Sequence, residues 1–189
     1  MKKENEKLFP QNKPALLSGI LSGLISAIFL TELFQAFTTI VLNGEFSGFG
    51  FSMKGFYCNY SFAPGLSAFT EILISLSPVI FSIFVIELAS FFLRKTGLGF
   101  YRFTLIVFVL INVGYLIIKF FYGAFAVIFK MPDNDWTFFL QSIGVEGQAV
   151  IPVIFFAIIF LIAYLNFSSR RLIKYFSVQT GDQSGIIKK

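Results

Sequence analysis

Apolar residues fall along this chain in four nearly unbroken runs rather than in an alternating pattern. The runs extend over about Ala15 to Leu42, Leu66 to Leu93, Phe103 to Phe129 and Ala149 to Phe167. About 20 helical residues cross the hydrocarbon core of a bilayer, and each run meets or approaches that length. Helix is the expected conformation, because lipid offers no water to unpaired backbone N–H and C=O groups. A transmembrane barrel would instead alternate over segments of about 10 residues. The pattern predicts an all-α, multi-pass transmembrane bundle of about four spans over residues 15–167, between basic tails at 1–14 and 168–189. The segment from Asn43 to Gly65, rich in Gly, Phe and Tyr, reads as an exposed loop.

Composition strengthens this reading. Hydrophobic residues make up 56% of the 189, charged residues only 13%, and mean hydropathy is +0.80. About a quarter of a soluble domain is charged, so this chain has too few charges to cover a soluble globule. Its 28 Phe residues suit the bilayer interior. The first apolar run is too long for the core of a signal peptide, and no stretch is long enough to form a soluble domain. The net charge of +5 comes from basic clusters beside the apolar runs, so no nucleic-acid partner is expected. The lone Cys58 has no intrachain disulfide partner. The chain has no His, hence no imidazole to ligate zinc or haem or to act as a base, and no cofactor is expected.

Basic residues alternate in density along the connections. The N-terminal tail carries Lys2, Lys3, Lys7 and Lys13, and the first loop only Lys54. The short second turn carries Arg94, Lys95 and Arg102, and the third connection only Lys130. The C-terminal tail carries Arg170, Arg171, Lys174, Lys188 and Lys189. The positive-inside rule then predicts a cell-membrane protein with both termini cytoplasmic and an even number of spans. Tyr57, Tyr60 and Trp136 are expected at the outer interface, where amphipathic rings are favoured. In the first run Gly19 and Gly23 form a G-x-x-x-G, with Ser22 and Ser26 nearby, that lets another helix approach closely. Pro78 and Pro152 should kink or start their helices.

Ionisable residues inside the apolar runs change the picture most. Glu32, Glu71, Glu87 and Lys119 each cost roughly 2.5–3.5 kcal/mol at the bilayer centre unless paired or hydrated. Glu32 and Lys119 both lie about ten residues before the outer ends of their runs, about 15 Å deep at 1.5 Å per residue. A buried Glu32–Lys119 ion pair is the simplest way to tolerate both. Glu71, nearer the same surface, should join the pair or stay protonated. Glu87 lies near the inner end, within reach of Arg94, Lys95 or Arg102, and reads as structural. Residues three and four apart share a helix face. Glu32, Gln35 and Thr39 therefore line up, as do Glu71, Ser75, Pro78 and Ser82, and Asn112, Tyr115, Lys119 and Tyr122. Turned inward, these stripes predict a polar pocket built from Glu32, Gln35, Glu71, Ser75, Asn112, Tyr115 and Lys119. The alternative is that the same residues only hold helices together.

The run Thr31-Glu32-Leu33-Phe34-Gln35 resembles the H-E-x-x-H segment on the first core helix of site-2-protease-like membrane metalloproteases. Asn43-Gly44, Ser77-Pro78 and Asp133-Asn134-Asp135-Trp136 follow in that family's order, so the resemblance spans roughly residues 15 to 165. It implies that the residues at 31 and 35 and a later Asp stand where zinc ligands would be, and that Glu32 stands where the water-activating Glu would be. Both His positions are changed, to Thr31 and Gln35, and neither is a normal zinc ligand. The resemblance therefore implies a degenerate, non-catalytic member with no bound metal. Lys119 would supply the positive charge that the metal gives.

Three functions are compatible with these features. The first is a non-catalytic membrane protein, a pseudo-protease, that binds a ligand, another membrane protein or a second copy of itself. The second is a small transporter of a proton or small solute. The third is a His-independent membrane enzyme, for which Ser75 with Lys119 is the candidate dyad. Asn59-Tyr60-Ser61 also matches a glycosylation sequon.

Overall fold

The computed structural model describes residues 13–52, 55–97, 99–129 and 134–181, with side chains as far as Ile173. Lys54, Lys130, Asp133 and the terminal stretches 1–12 and 182–189 lie outside the described residues. The first run is one long helix in three parts: α1 (Lys13–Leu24), a π-helical turn (Ile25–Leu30) and α2 (Thr31–Val41). A hairpin follows, β1 (Glu45–Ser52) and β2 (Gly55–Ser61). Then come α3 (Ala68–Lys95), α4 (Phe100–Ile128), the short α5 (Asp135–Ser142) and α6 (Val150–Gly181).

Four helices are long and apolar enough to cross a membrane: Lys13–Val41, Ala68–Lys95, Phe100–Ile128 and Gly147–Ile173. The protein is thus a multi-pass, all-α integral membrane protein. Large apolar side chains such as Phe37, Phe84, Phe121, Phe155 and Phe156 stay exposed on its flanks, the surface that lipid covers. Pro78 lies inside α3, and the Ser82 hydroxyl donates to its carbonyl at 2.8 Å. Pro152 sits in the first turn of α6, where its missing N–H breaks no helical bond.

Packing centres on α4. The G-x-x-x-G serves contact within the chain: a Cβ on Gly19 would meet Val107 Cβ at 2.7 Å, and one on Gly23 would meet Ile111 Cβ at 2.8 Å. A core of Ile86, Ala89, Leu93, Val109, Leu116, Phe120, Trp136 and Leu161 joins α3, α4, α5 and α6. α5 lies on α4 where Gly123 leaves room for Trp136, since a Cβ there would come within 1.9 Å of the indole.

Two departures from the sequence reading matter for the site. The segment read as an exposed loop is an antiparallel hairpin that folds back along α2. Its register pairs Phe46 with Tyr60, Phe49 with Cys58 and Phe51 with Phe56. The Phe56 ring lies 5.0 Å from that of Phe29. Phe29 is about 18 Å along the helix axis from the end of α2, at 1.5 Å per residue. Strand backbone at that depth is tolerated where protein buries it or where it lines a cavity, and β2 does both. The second departure concerns the aromatic belt. Trp136 is buried against Phe120, and the Tyr60 hydroxyl points to Asp135, so both face the bundle rather than the membrane surface.

The far end holds a separate contact. Glu87 accepts a two-pronged interaction from Arg171, 2.7 Å from Nη1, and a hydrogen bond from the Tyr164 hydroxyl at 3.1 Å. The expected partners were Arg94, Lys95 or Arg102. Arg171 makes the close contact because α6 continues as helix past Phe167, carrying that guanidinium back over α3, while Arg94 adds its charge at longer range.

Candidate functional site

The fold gathers polar side chains from five elements around one cavity of about 1060 Å³. Glu32 and Gln35 come from α2, Cys58 and Tyr60 from β2, Ser75 from α3, Tyr115, Lys119 and Tyr122 from α4, and Asp135 from α5. The remaining wall is apolar and aromatic, with Ile28, Phe56, Val79, Ile118, Trp136 and Phe138 among its members.

At the centre, Lys119 Nζ donates to Glu32 Oε1 at 2.7 Å. This is the pair expected from the matched depths of the two residues. The carboxylate side chain is 2% exposed and the lysine 27%, the latter surface being turned to the cavity. The second carboxylate oxygen, Oε2, accepts the Cys58 backbone N–H at 3.0 Å. A strand amide thus reaches a carboxylate inside a helical bundle, and this bond holds β2 against α2. The π turn before Glu32 contributes locally: Thr31 donates its hydroxyl to the Ser26 carbonyl at 3.1 Å, and the Ser26 hydroxyl donates to Asn112 Oδ1 at 3.2 Å. Single π turns inside α-helices frequently mark functional positions.

A second polar centre adjoins the first. Asp135 Oδ1 accepts from Gln35 Nε2 at 2.7 Å and from the Tyr60 hydroxyl at 2.9 Å. Burial pushes the Tyr60 phenol well above its ordinary pKa, and the neighbouring Asp135 carboxylate adds to the shift. The Cys58 thiol is pushed up to about 12, first by burial and then by the Glu32 and Asp135 carboxylates, with Lys119 opposing. Two buried hydroxyls of the cavity have no hydrogen-bond partner by geometry among the described residues, those of Ser75, which lies beside Tyr60, and Tyr122.

Of the seven site residues read from the sequence, five line the cavity: Glu32, Gln35, Ser75, Tyr115 and Lys119. Asn112 turns instead to Ser26 of the π turn, and its amide nitrogen donates to the Phe108 carbonyl at 2.9 Å. Glu71 stands in the first turn of α3 and is not among the cavity residues. It lies nearer the end of its span than Glu32 and Lys119 do, and it does not join the ion pair. The sequence reading missed Asp135 as a pocket residue, along with Tyr60 and Cys58. Asp135 next to Trp136, between two spans, was the available signal.

Comparison with protein-family models, curated proteins and solved structures finds no match to this chain. The donor set itself does not suit zinc. The Thr31 hydroxyl is engaged by a backbone carbonyl, Gln35 presents its amide nitrogen to Asp135, and an ammonium sits on Glu32. Among the described residues no group of three His, Cys, Asp or Glu side chains is placed to hold a metal ion.

Proposed function

We propose that the protein is a non-catalytic member of the site-2-protease-like scaffold, and that it uses the Glu32/Lys119/Asp135 cavity to bind a ligand or a membrane partner. One observation carries the reading. Residue 35, at the position of the motif's second His, meets Asp135 across 100 residues of sequence, beside the Glu32–Lys119 pair. In the family, the second His and the later Asp meet in this way because they share a metal. Where a metal would place positive charge beside Glu32, Lys119 places an ammonium. By the positive-inside rule the hairpin end of the bundle, and with it the cavity, faces away from the cytoplasm.

The scaffold reading is tested by restoring ligands. Thr31→His with Gln35→His and Lys119→Met puts imidazoles at both motif positions, one helical turn apart with position 35 beside Asp135, and removes the competing cation. The triple variant should bind about one zinc per chain, measured by elemental analysis after purification and dialysis against trace zinc, while wild type binds none. A folded triple variant with no more zinc than wild type would remove the scaffold from consideration.

A further inference from the structure

Charge within the cavity is unbalanced. Lys119 neutralises Glu32. Asp135 is bonded only to the neutral Gln35 amide and Tyr60 phenol, with no ion pair within 4 Å among the described residues. Both bonds go to Oδ1, which leaves Oδ2 free to accept. Two further acceptors wait on the same cavity, the unpartnered hydroxyls of Ser75, which is 1% exposed, and Tyr122. A buried hydroxyl without a partner costs free energy, and a ligand N–H group would satisfy it.

The rest of the wall fits the same chemistry. Tyr57, Tyr60, Tyr115, Trp136 and Phe138 line the cavity, and aromatic faces attract organic cations. Leu24, Ile28, Leu76, Val79, Leu110 and Ile118 supply an apolar remainder suited to an alkyl chain. An anion would meet two carboxylates, Glu32 and Asp135, against the one ammonium of Lys119.

We infer that the cavity binds a primary alkylammonium amphiphile, its ammonium on Asp135 Oδ2 and the Ser75 and Tyr122 hydroxyls, its chain along the apolar wall. The inference rests on the binding reading above and names the ligand class. It involves no covalent step.

Trp136 is the only tryptophan and lines this cavity, so its fluorescence reports occupancy. The experiment titrates the full-length protein in lipid nanodiscs with dodecylamine, dodecanol and dodecanoate, for wild type and Asp135→Asn. Asp135→Asn keeps the size of the side chain and an acceptor for Tyr60. Wild type should respond to dodecylamine at concentrations at least tenfold below those needed for dodecanol, with no saturable response to dodecanoate. In Asp135→Asn that preference should vanish, amine and alcohol then saturating at similar concentrations. Equal binding of amine and alcohol by wild type, or an amine preference that survives Asp135→Asn, would overturn the ammonium assignment while leaving a binding cavity. No saturable response to any of the three would overturn both the assignment and the binding reading. A Trp136 emission maximum shared by the two proteins without ligand checks that the variant keeps its fold.

Discussion

Replacing Lys119 with methionine keeps most of the side-chain volume and removes the charge that balances Glu32. The two groups are 2.7 Å apart. At an effective dielectric of about 20 that separation corresponds to about 6 kcal/mol of attraction, against which the desolvation of both ions must be set. With only the Cys58 amide left on a carboxylate that is 2% exposed, Lys119→Met should cost about 3–5 kcal/mol, the usual penalty for an abandoned buried charge. Glu32→Gln should cost less, about 2 kcal/mol, because the lysine keeps 27% of its surface on the cavity and can be hydrated there. The double variant removes both charges, and the Gln carbonyl can still accept the Cys58 amide. Its cost should fall below that of Lys119→Met alone, with a coupling of at least about 2 kcal/mol. Reversible unfolding in mixed micelles, followed by Trp136 fluorescence, measures all three. Additive losses, with the double variant worse than either single one, would refute a buried pair.

Gly123→Ala should displace α5, because the added methyl would meet the Trp136 ring. A loss of more than about 2 kcal/mol is expected from such overpacking, with a red-shifted Trp136 emission, whereas Gly114→Ala, whose Cβ meets nothing within 4 Å, should be neutral. Arg171→Lys should lose the two-pronged contact with Glu87 and lower the unfolding midpoint measurably, since lysine cannot reproduce the guanidinium fork. Cys58, pushed up to about 12 from 9.0, should resist iodoacetamide at pH 8, with a thiolate fraction on the order of a thousandfold below that of the unfolded chain. Because the folded value is the higher one, its contribution to stability is intact below about pH 9 and is lost between about 9 and 12. Alkylation and unfolding titrations across that window check the sign.

Length and hydropathy were enough to read the spans, and a rise of 1.5 Å per residue was enough to match Glu32 with Lys119 across 87 positions. Depth is one-dimensional, and Glu71 and Asn112 mark its limit. Both lie on the expected stripes, yet one sits beyond the cavity and the other turns to the π turn of the first helix. The π turn itself has no local signal in Ile25–Leu30, and it offsets the faces of α1 and α2 relative to one another. The hairpin was less legible because its strands are held by long-range contacts, Cys58 to Glu32 and Phe56 to Phe29, that no propensity encodes. Alternation was present in the spacing of Phe49 and Phe51 opposite Phe56 and Cys58, but Gly48, Gly50 and Gly55 disguise it as loop composition. Asp135 was legible only as an acid near the end of a span. Its role follows from Gly123, which lets Trp136 sink into α4 and brings the preceding carboxylate to Gln35.

The most direct test of the cavity as a binding site, rather than dry helix contact, is its access to water in the membrane. In a Cys58→Ser background, a single cysteine placed at Gly114, which lines the cavity with open space around its Cβ, is compared with one at the outward-facing Phe121. A small charged methanethiosulfonate applied to intact membranes should modify Gly114→Cys and leave Phe121→Cys unmodified. Equal reactivity of the two positions, or no reaction at Gly114→Cys, would contradict a water-accessible cavity around Glu32 and Lys119.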